Sequence, residues 1–142
     1  MKININKETI EGKIKLVELH LQRLKECQQL SEKDYNLHKN FDSAAWNLRC
    51  ALEATFDICA HILSRIPGVK IDEYKKMALE MGKQDIVPME FAETKLQEMA
   101  KYRNRLTHFY AEVMPKEMHG IIQNDLDDFN FFLKHIKKVL PQ

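Results

Sequence analysis

The sequence predicts an all-α protein, an antiparallel four-helix bundle with one additional short helix, organised as a single helical domain over residues 1–142. Apolar residues recur at spacings of three and four along most of the chain, the period of a helix with one buried stripe. Neither strand-like alternation nor an internal repeat interrupts them. Four Gly and four Pro in 142 residues are too few for a turn-rich β fold. One domain per roughly 100 to 200 residues fits this length, and a chain of this size buries about two-thirds of its surface without help from disulfides or metals.

In the first helix the stripe is Ile10, Ile14, Val17, Leu21 and Leu24, and Asn6 is placed to cap its N-terminus. A polar stretch with Ser31 and Asp34 separates it from a second stripe: Ala45, Leu48, Leu52, Thr55, Cys59, Ile62 and Ile66. This helix should run about eight turns before Pro67-Gly68 stops it. Asp72 is expected to cap a short helix carrying Tyr74, Met77, Ala78 and Met81, with Gly82 at its C-terminal end. After a loop to Val87, Pro88 suits the first turn of a further helix. Its stripe is Ala92, Leu96, Met99, Arg103, Leu106 and Tyr110, and it should end where Met114 precedes Pro115. Ile122, Leu126, Phe129, Leu133, Ile136 and Leu140 mark the last helix.

Charge narrows the function. Lys plus Arg is 22 and Asp plus Glu is 21, so the near-neutral chain is no general polyanion binder and any nucleic-acid contact must be local. No stretch reaches the roughly 20 apolar residues of a membrane span, and the polar start shows no signal segment. The expected location is the cytoplasm. Cys27, Cys50 and Cys59 are odd in number and lie in helical patterns, so they are expected to be reduced core residues. His20, His38, His119 and His135 lack metal-ligand spacing with one another, and no metal or cofactor is expected.

Arg103 breaks the apolar stripe of the fourth long helix between Met99 and Leu106. A guanidinium there needs a partner, a cleft or a subunit interface, because burying it unpaired costs several kcal/mol. Tyr110 shares its face. His108, five residues from Arg103, is turned away by about 140° on a straight helix. A long Arg side chain could wrap across, the helix could loosen before Pro115, or a second copy could bring its own motif alongside in a twofold dimer. The dimer needs the fewest special assumptions. Lys101, Arg103 and Arg105 put three cations with no acid into five residues, a patch suited to phosphate.

Arg103-Asn104, three residues, His108, one residue and Tyr110 resembles the signature of the HEPN superfamily in its HepT-like toxin branch. Residues 51–62 resemble that family's second helix, and the segment from Ile66-Pro67 through Tyr74 to Gly82 resembles its middle, so the likeness covers roughly residues 41–140. The resemblance implies a metal-independent ribonuclease, active as a homodimer with both motifs in one interfacial cleft. It implies a type VII-like toxin–antitoxin pair in which a cognate MNT-type nucleotidyltransferase adenylylates the motif tyrosine. Carried over by position, Arg103 and His108 would be catalytic, Asn104 supporting and Tyr110 the modification site.

The chemistry is consistent with those residues. Metal-free RNA cleavage needs one group to take the 2′-hydroxyl proton, one to protonate the leaving oxygen, and positive charge on the transition state. Histidine, with an ordinary pKa of about 6.5, can do either proton transfer, and Arg presents a fork matched to phosphate oxygens. An adenylyl group on Tyr110 would occupy the substrate's place. Arg49, Glu53, Asp57 and His61 form a polar stripe on the second helix, which is most simply a solvated face. Its functional alternative has Asp57 lining the cleft and orienting Arg103. Two other readings remain: a non-catalytic HEPN partner that holds nucleotide or substrate for a minimal nucleotidyltransferase, and a structural dimer in which Arg103 is an interface salt bridge.

Overall fold

A computed structural model describes residues 3–108 and 113–141. Asn6 is extended, and its side chain accepts the backbone N–H of Thr9 at 3.1 Å, satisfying one of the free donors that open α1, Lys7–Gln28. Ser31 does the same for the single turn α2, Glu32–Tyr35, by accepting from Asp34. The long α3 is His38–Leu63, followed by α4, Tyr74–Lys83, α5, Met89–Glu93, and α6, Lys95–His108. Then come α7, Pro115–Asn124, with Pro115 in its first turn, and α8, Asp127–Val139.

Side-chain pairs give the directions. Asn6 meets His61, Lys13 meets Asp57 and His20 meets Asn47, so α1 and α3 run antiparallel. The early part of α3, at Ala45 and Trp46, lies against the late part of α6, at Leu106 and Thr107. Leu52, farther along α3, lies near Met99, farther back in α6, so this pair is antiparallel too. Lys137 of α8 reaches Glu18 of α1 at 3.6 Å. The architecture is the predicted all-α bundle. Its centre holds the predicted stripes: Ile10, Leu24, Leu48, Leu52, Ile62 and Leu96 are buried in one apolar cluster with Phe132 and Ile136. Each such side chain contributes about 1.5–3 kcal/mol. Among the described residues, no helix is long and apolar enough to cross a membrane.

Element boundaries differ from the expectation in physically instructive ways. The fourth predicted helix is two, because Thr94 leaves the helical region (φ −115°, ψ −81°) while Thr94 N–H to Glu90 and Glu98 N–H to Thr94 keep the hydrogen bonding on either side. Pro88 stands before α5 as its cap residue rather than inside the first turn. The last predicted helix also divides, at Asp125-Leu126, although the apolar stripe continues through the break. The short helix is capped at Glu73, not Asp72, whose carboxylate instead lies 3.6 Å from Lys76.

Gly82 is inside α4 rather than past its end, and the left-handed residue is Asp85 (φ 58°). The glycine is required by close approach. A Cβ at Gly82 would sit 2.6 Å from Cβ of Ala92 and 2.6 Å from Sδ of Met89, both on α5. Gly82→Ala is therefore expected to destabilise the fold by about 1–3 kcal/mol through overpacking, against the usual helix preference for alanine. Urea unfolding measures it; an unchanged midpoint would mean α5 moves aside freely.

Cys27 and Cys59 are buried, Cys50 is half-buried, and all three are free thiols. Burial pushes the Cys59 thiol far above its ordinary value, in keeping with a core role.

Candidate functional site

The site is built where α6 crosses α3 and α4. Met99 and Leu106 are buried, as the stripe requires, and Arg103 between them keeps only 16% of its side chain exposed. Its Cζ lies 4.1 Å from the centre of the Tyr74 ring. Tyr74 is in turn held edge-on by Phe56, with ring centroids 5.5 Å apart and planes at 81°. Phe56 is fully buried, so the surface beneath the guanidinium is anchored in the core. A cation over an aromatic face gains about 0.5–2 kcal/mol, the upper end applying when water is excluded.

Polar contacts complete the placement. Glu53 Oε1 lies 4.0 Å from Arg103 Nη2, accepts from Arg49 Nε at 3.1 Å and accepts from the Thr107 hydroxyl at 3.5 Å. Arg103 Nη1 donates to Asn104 Oδ1 at 3.5 Å, which puts Asn104 beside it. Nε of Arg103 is buried and, among the described residues, has no acceptor. The guanidinium is oriented by one ring and one carboxylate while part of its donor capacity stays unused.

The acidic neighbour of Arg103 is Glu53, one turn before Asp57, the residue that the functional alternative places there. Asp57 accepts from Lys13 of α1 at 3.1 Å, with both side chains well exposed. His61, at the end of the same stripe, accepts the backbone N–H of Asn6 at 3.2 Å, and burial followed by the nearby Arg65 lowers its pKa. All four stripe residues share one helix face, and the way α3 is rotated against α1 and α6 distributes them. Glu53 was legible as a member of that stripe; Tyr74 was legible only as an apolar residue of a short helix.

His108 is the last described residue of α6 and is exposed, whereas Arg103 is largely covered. Within one chain the two side chains have different surroundings, as five residues of helix require. Tyr110 lies outside the described residues. The three-cation run is also reduced, because Arg105 is paired with Glu117 of α7 and lies over Tyr102. Tyr102 is pushed up to about 12, first by burial and then by its bond to Glu117. The Tyr102 hydroxyl, followed by Arg105, holds Glu117 below the usual carboxylate range. Lys101 and Arg103 remain to meet an external anion. Among the described residues, no three His, Cys, Asp or Glu side chains are grouped to hold a metal ion.

Comparison with known proteins adds an independent line. The chain resembles the tRNA nuclease HepT of Aphanizomenon flos-aquae (strain 2012/KM1/D3), at 27% identity over 140 residues covering 96% of this chain and 93% of that protein. Its fold is similar to that of a tri-AMPylated Shewanella oneidensis HEPN toxin in complex with MNT antitoxin, with TM-score 0.82, 22% identity, and 94% and 99% of the two chains covered. A crystal structure of a toxin–antitoxin with AMP-PNP superposes with TM-score 0.81 at 21% identity, covering 92% of this chain and 98% of that one. Residues 17–136 match the family described as Ribonuclease HepT-like. That match takes in the whole of α3 to α7 and the motif that begins at Arg103, and by it the chain belongs to the HepT-like ribonuclease family.

Proposed function

We propose that this HepT-like protein is a metal-independent endoribonuclease toxin that cuts RNA as a homodimer and is silenced when an MNT-type nucleotidyltransferase adenylylates Tyr110. The observation that carries the reading is Arg103, held on Tyr74 beside Glu53 with donor capacity unused, on the same helix as an exposed His108. Arg103 binds the phosphate and stabilises the charge that builds on it as the 2′-oxygen attacks. His108 transfers the protons. Because a straight helix turns the two groups about 140° apart, the motif of a second copy completes the cleft, and two copies supply one imidazole for each proton transfer. The 2′-hydroxyl is the nucleophile, so DNA is not cut. The name of the Aphanizomenon relative makes tRNA the first substrate to try.

The deciding experiment incubates purified, unmodified protein with tRNA and with total RNA in excess EDTA and maps the new ends. Cleavage leaving 2′,3′-cyclic phosphates is the expected result. Intact RNA, with Tyr110 shown unmodified by mass spectrometry, would overturn the reading in favour of a non-catalytic partner of a nucleotidyltransferase.

Control of the toxin is tested separately. Tyr110→Phe is expected to cut RNA yet stay active after treatment with the nucleotidyltransferase and ATP, since the acceptor hydroxyl is gone. Silencing of that variant together with an adenylyl mass increment would move the modification to another residue.

A further inference from the structure

Trp46 is the one tryptophan of the chain, and its side chain is not used by the core: the residue is 57% exposed on α3. Its surroundings mix polar and apolar side chains. The Arg49 guanidinium lies 5.7 Å from the ring centroid, and Asp42, Ala45, Trp46, Arg49, Leu106 and Thr107 line a pocket of about 290 Å³. This volume is just below the roughly 300 Å³ at which small-molecule pockets begin, enough for one flat ring system.

The pocket adjoins the proposed cleavage site through two links. Thr107 immediately precedes His108 in α6. Glu53 joins Arg49 and Thr107 to Arg103 through the single oxygen Oε1, at 3.1, 3.5 and 4.0 Å. A group seated on Trp46 is thus close along α3 to the residues that orient Arg103.

We infer that Trp46 and Arg49 form a stacking shelf for one unpaired nucleobase of the RNA, next to the phosphate that is cut. The inference rests on the ribonuclease reading of the site. Proteins that grip single-stranded RNA stack its bases on aromatic rings and on guanidinium planes, and Trp46 and Arg49 supply one of each. The Asp42 carboxylate at the pocket wall repels a phosphate but accepts from an exocyclic amine or ring N–H, so the shelf suits a base rather than the backbone and favours an amino-bearing edge. A protein partner would call for a broad apolar patch, whereas here one exposed indole stands among Asp42, Arg49 and Thr107, and the other two lining residues, Ala45 and Leu106, are buried.

Because Trp46 is the sole tryptophan, its fluorescence reports the shelf directly. The full-length, unmodified protein is titrated with an unstructured 2′-O-methyl oligoribonucleotide, which has no free 2′-hydroxyl and cannot be cut. Saturable quenching is expected. Trp46→Ala should weaken binding of this oligonucleotide about tenfold or more and place its effect on the KM for RNA, with Trp46→Phe recovering most of it. No quenching at concentrations where the oligonucleotide inhibits cleavage would overturn the shelf. So would Trp46→Ala converting a dimer to a monomer in light scattering, since the indole would then pack on a second copy. Quenching in a protein that cuts no RNA would sustain the shelf and overturn the ribonuclease reading, so the two can fail separately.

Discussion

His108→Ala is expected to lower RNA cleavage by about 10²- to 10⁴-fold, the usual contribution of a positioned acid or base, with the loss in kcat. Stability should hardly move. His108 is exposed at the described end of α6, so its truncation opens no cavity in the core. The contrast between a large loss of turnover and an unchanged melting temperature separates proton transfer from a structural role. Full cleavage by the variant, at equal concentration and with intact dimer, would remove His108 from the chemistry. A growth assay gives the same test in cells: on the proposed function, expression of the wild type without an MNT-type nucleotidyltransferase should arrest growth, and the variant should not.

Arg103→Ala should reduce cleavage by about 10²- to 10³-fold, because it removes preorganised charge from the transition state. Arg103→Lys should restore little. A lysine keeps the charge, but it offers no planar fork and cannot lie flat on Tyr74 as the guanidinium does. The structural cost of the alanine is the lost stacking, about 0.5–2 kcal/mol, together with the long contacts to Glu53 and Asn104, partly offset because the unpaired Nε disappears as well. Single-turnover cleavage should therefore fall steeply while the unfolding midpoint in denaturant shifts only slightly. If Arg103 were only an interface salt bridge, its loss would dissociate or destabilise the dimer while surviving dimers cut normally.

The differences between expectation and fold have two causes. Periodicity reports which residues face the core, and it reported them well: Ile10, Ile14, Val17, Leu21 and Leu24 are all buried, as are Leu48, Leu52, Cys59 and Ile62. It is blind to a break that preserves the phase of the stripe. At Thr94 and at Asp125-Leu126 the backbone turns while the apolar residues on either side remain on the core, so five predicted helices become seven, and the single turn α2, which carries too few residues to show a period, makes eight helical elements among the described residues. Gly82 shows a second kind of blindness. A glycine near a helix end is compatible with a left-handed turn or with a close neighbour, and only the packing of α5 against α4 selects the second.

At the site, local sequence determined the residue types and their phase on one helix. Arg103 in an apolar stripe announced a partner, a cleft or an interface, and the five-residue interval to His108 announced that a straight helix turns the two apart. The family motif could be read from Arg103, Asn104, His108 and Tyr110 alone. Which groups hold the guanidinium was a tertiary decision. Glu53 and Asp57 sit one turn apart on the same face of α3, and the rotation of α3 sends the first to Arg103 and Thr107 and the second to Lys13. Tyr74 is 29 residues from Arg103 in the chain, and only the packing of α4 against α6 places its ring beneath the cation. Spacing along one helix is fixed by 3.6 residues per turn, so the sequence carries it; contact between helices depends on how whole faces pack, which no single segment encodes.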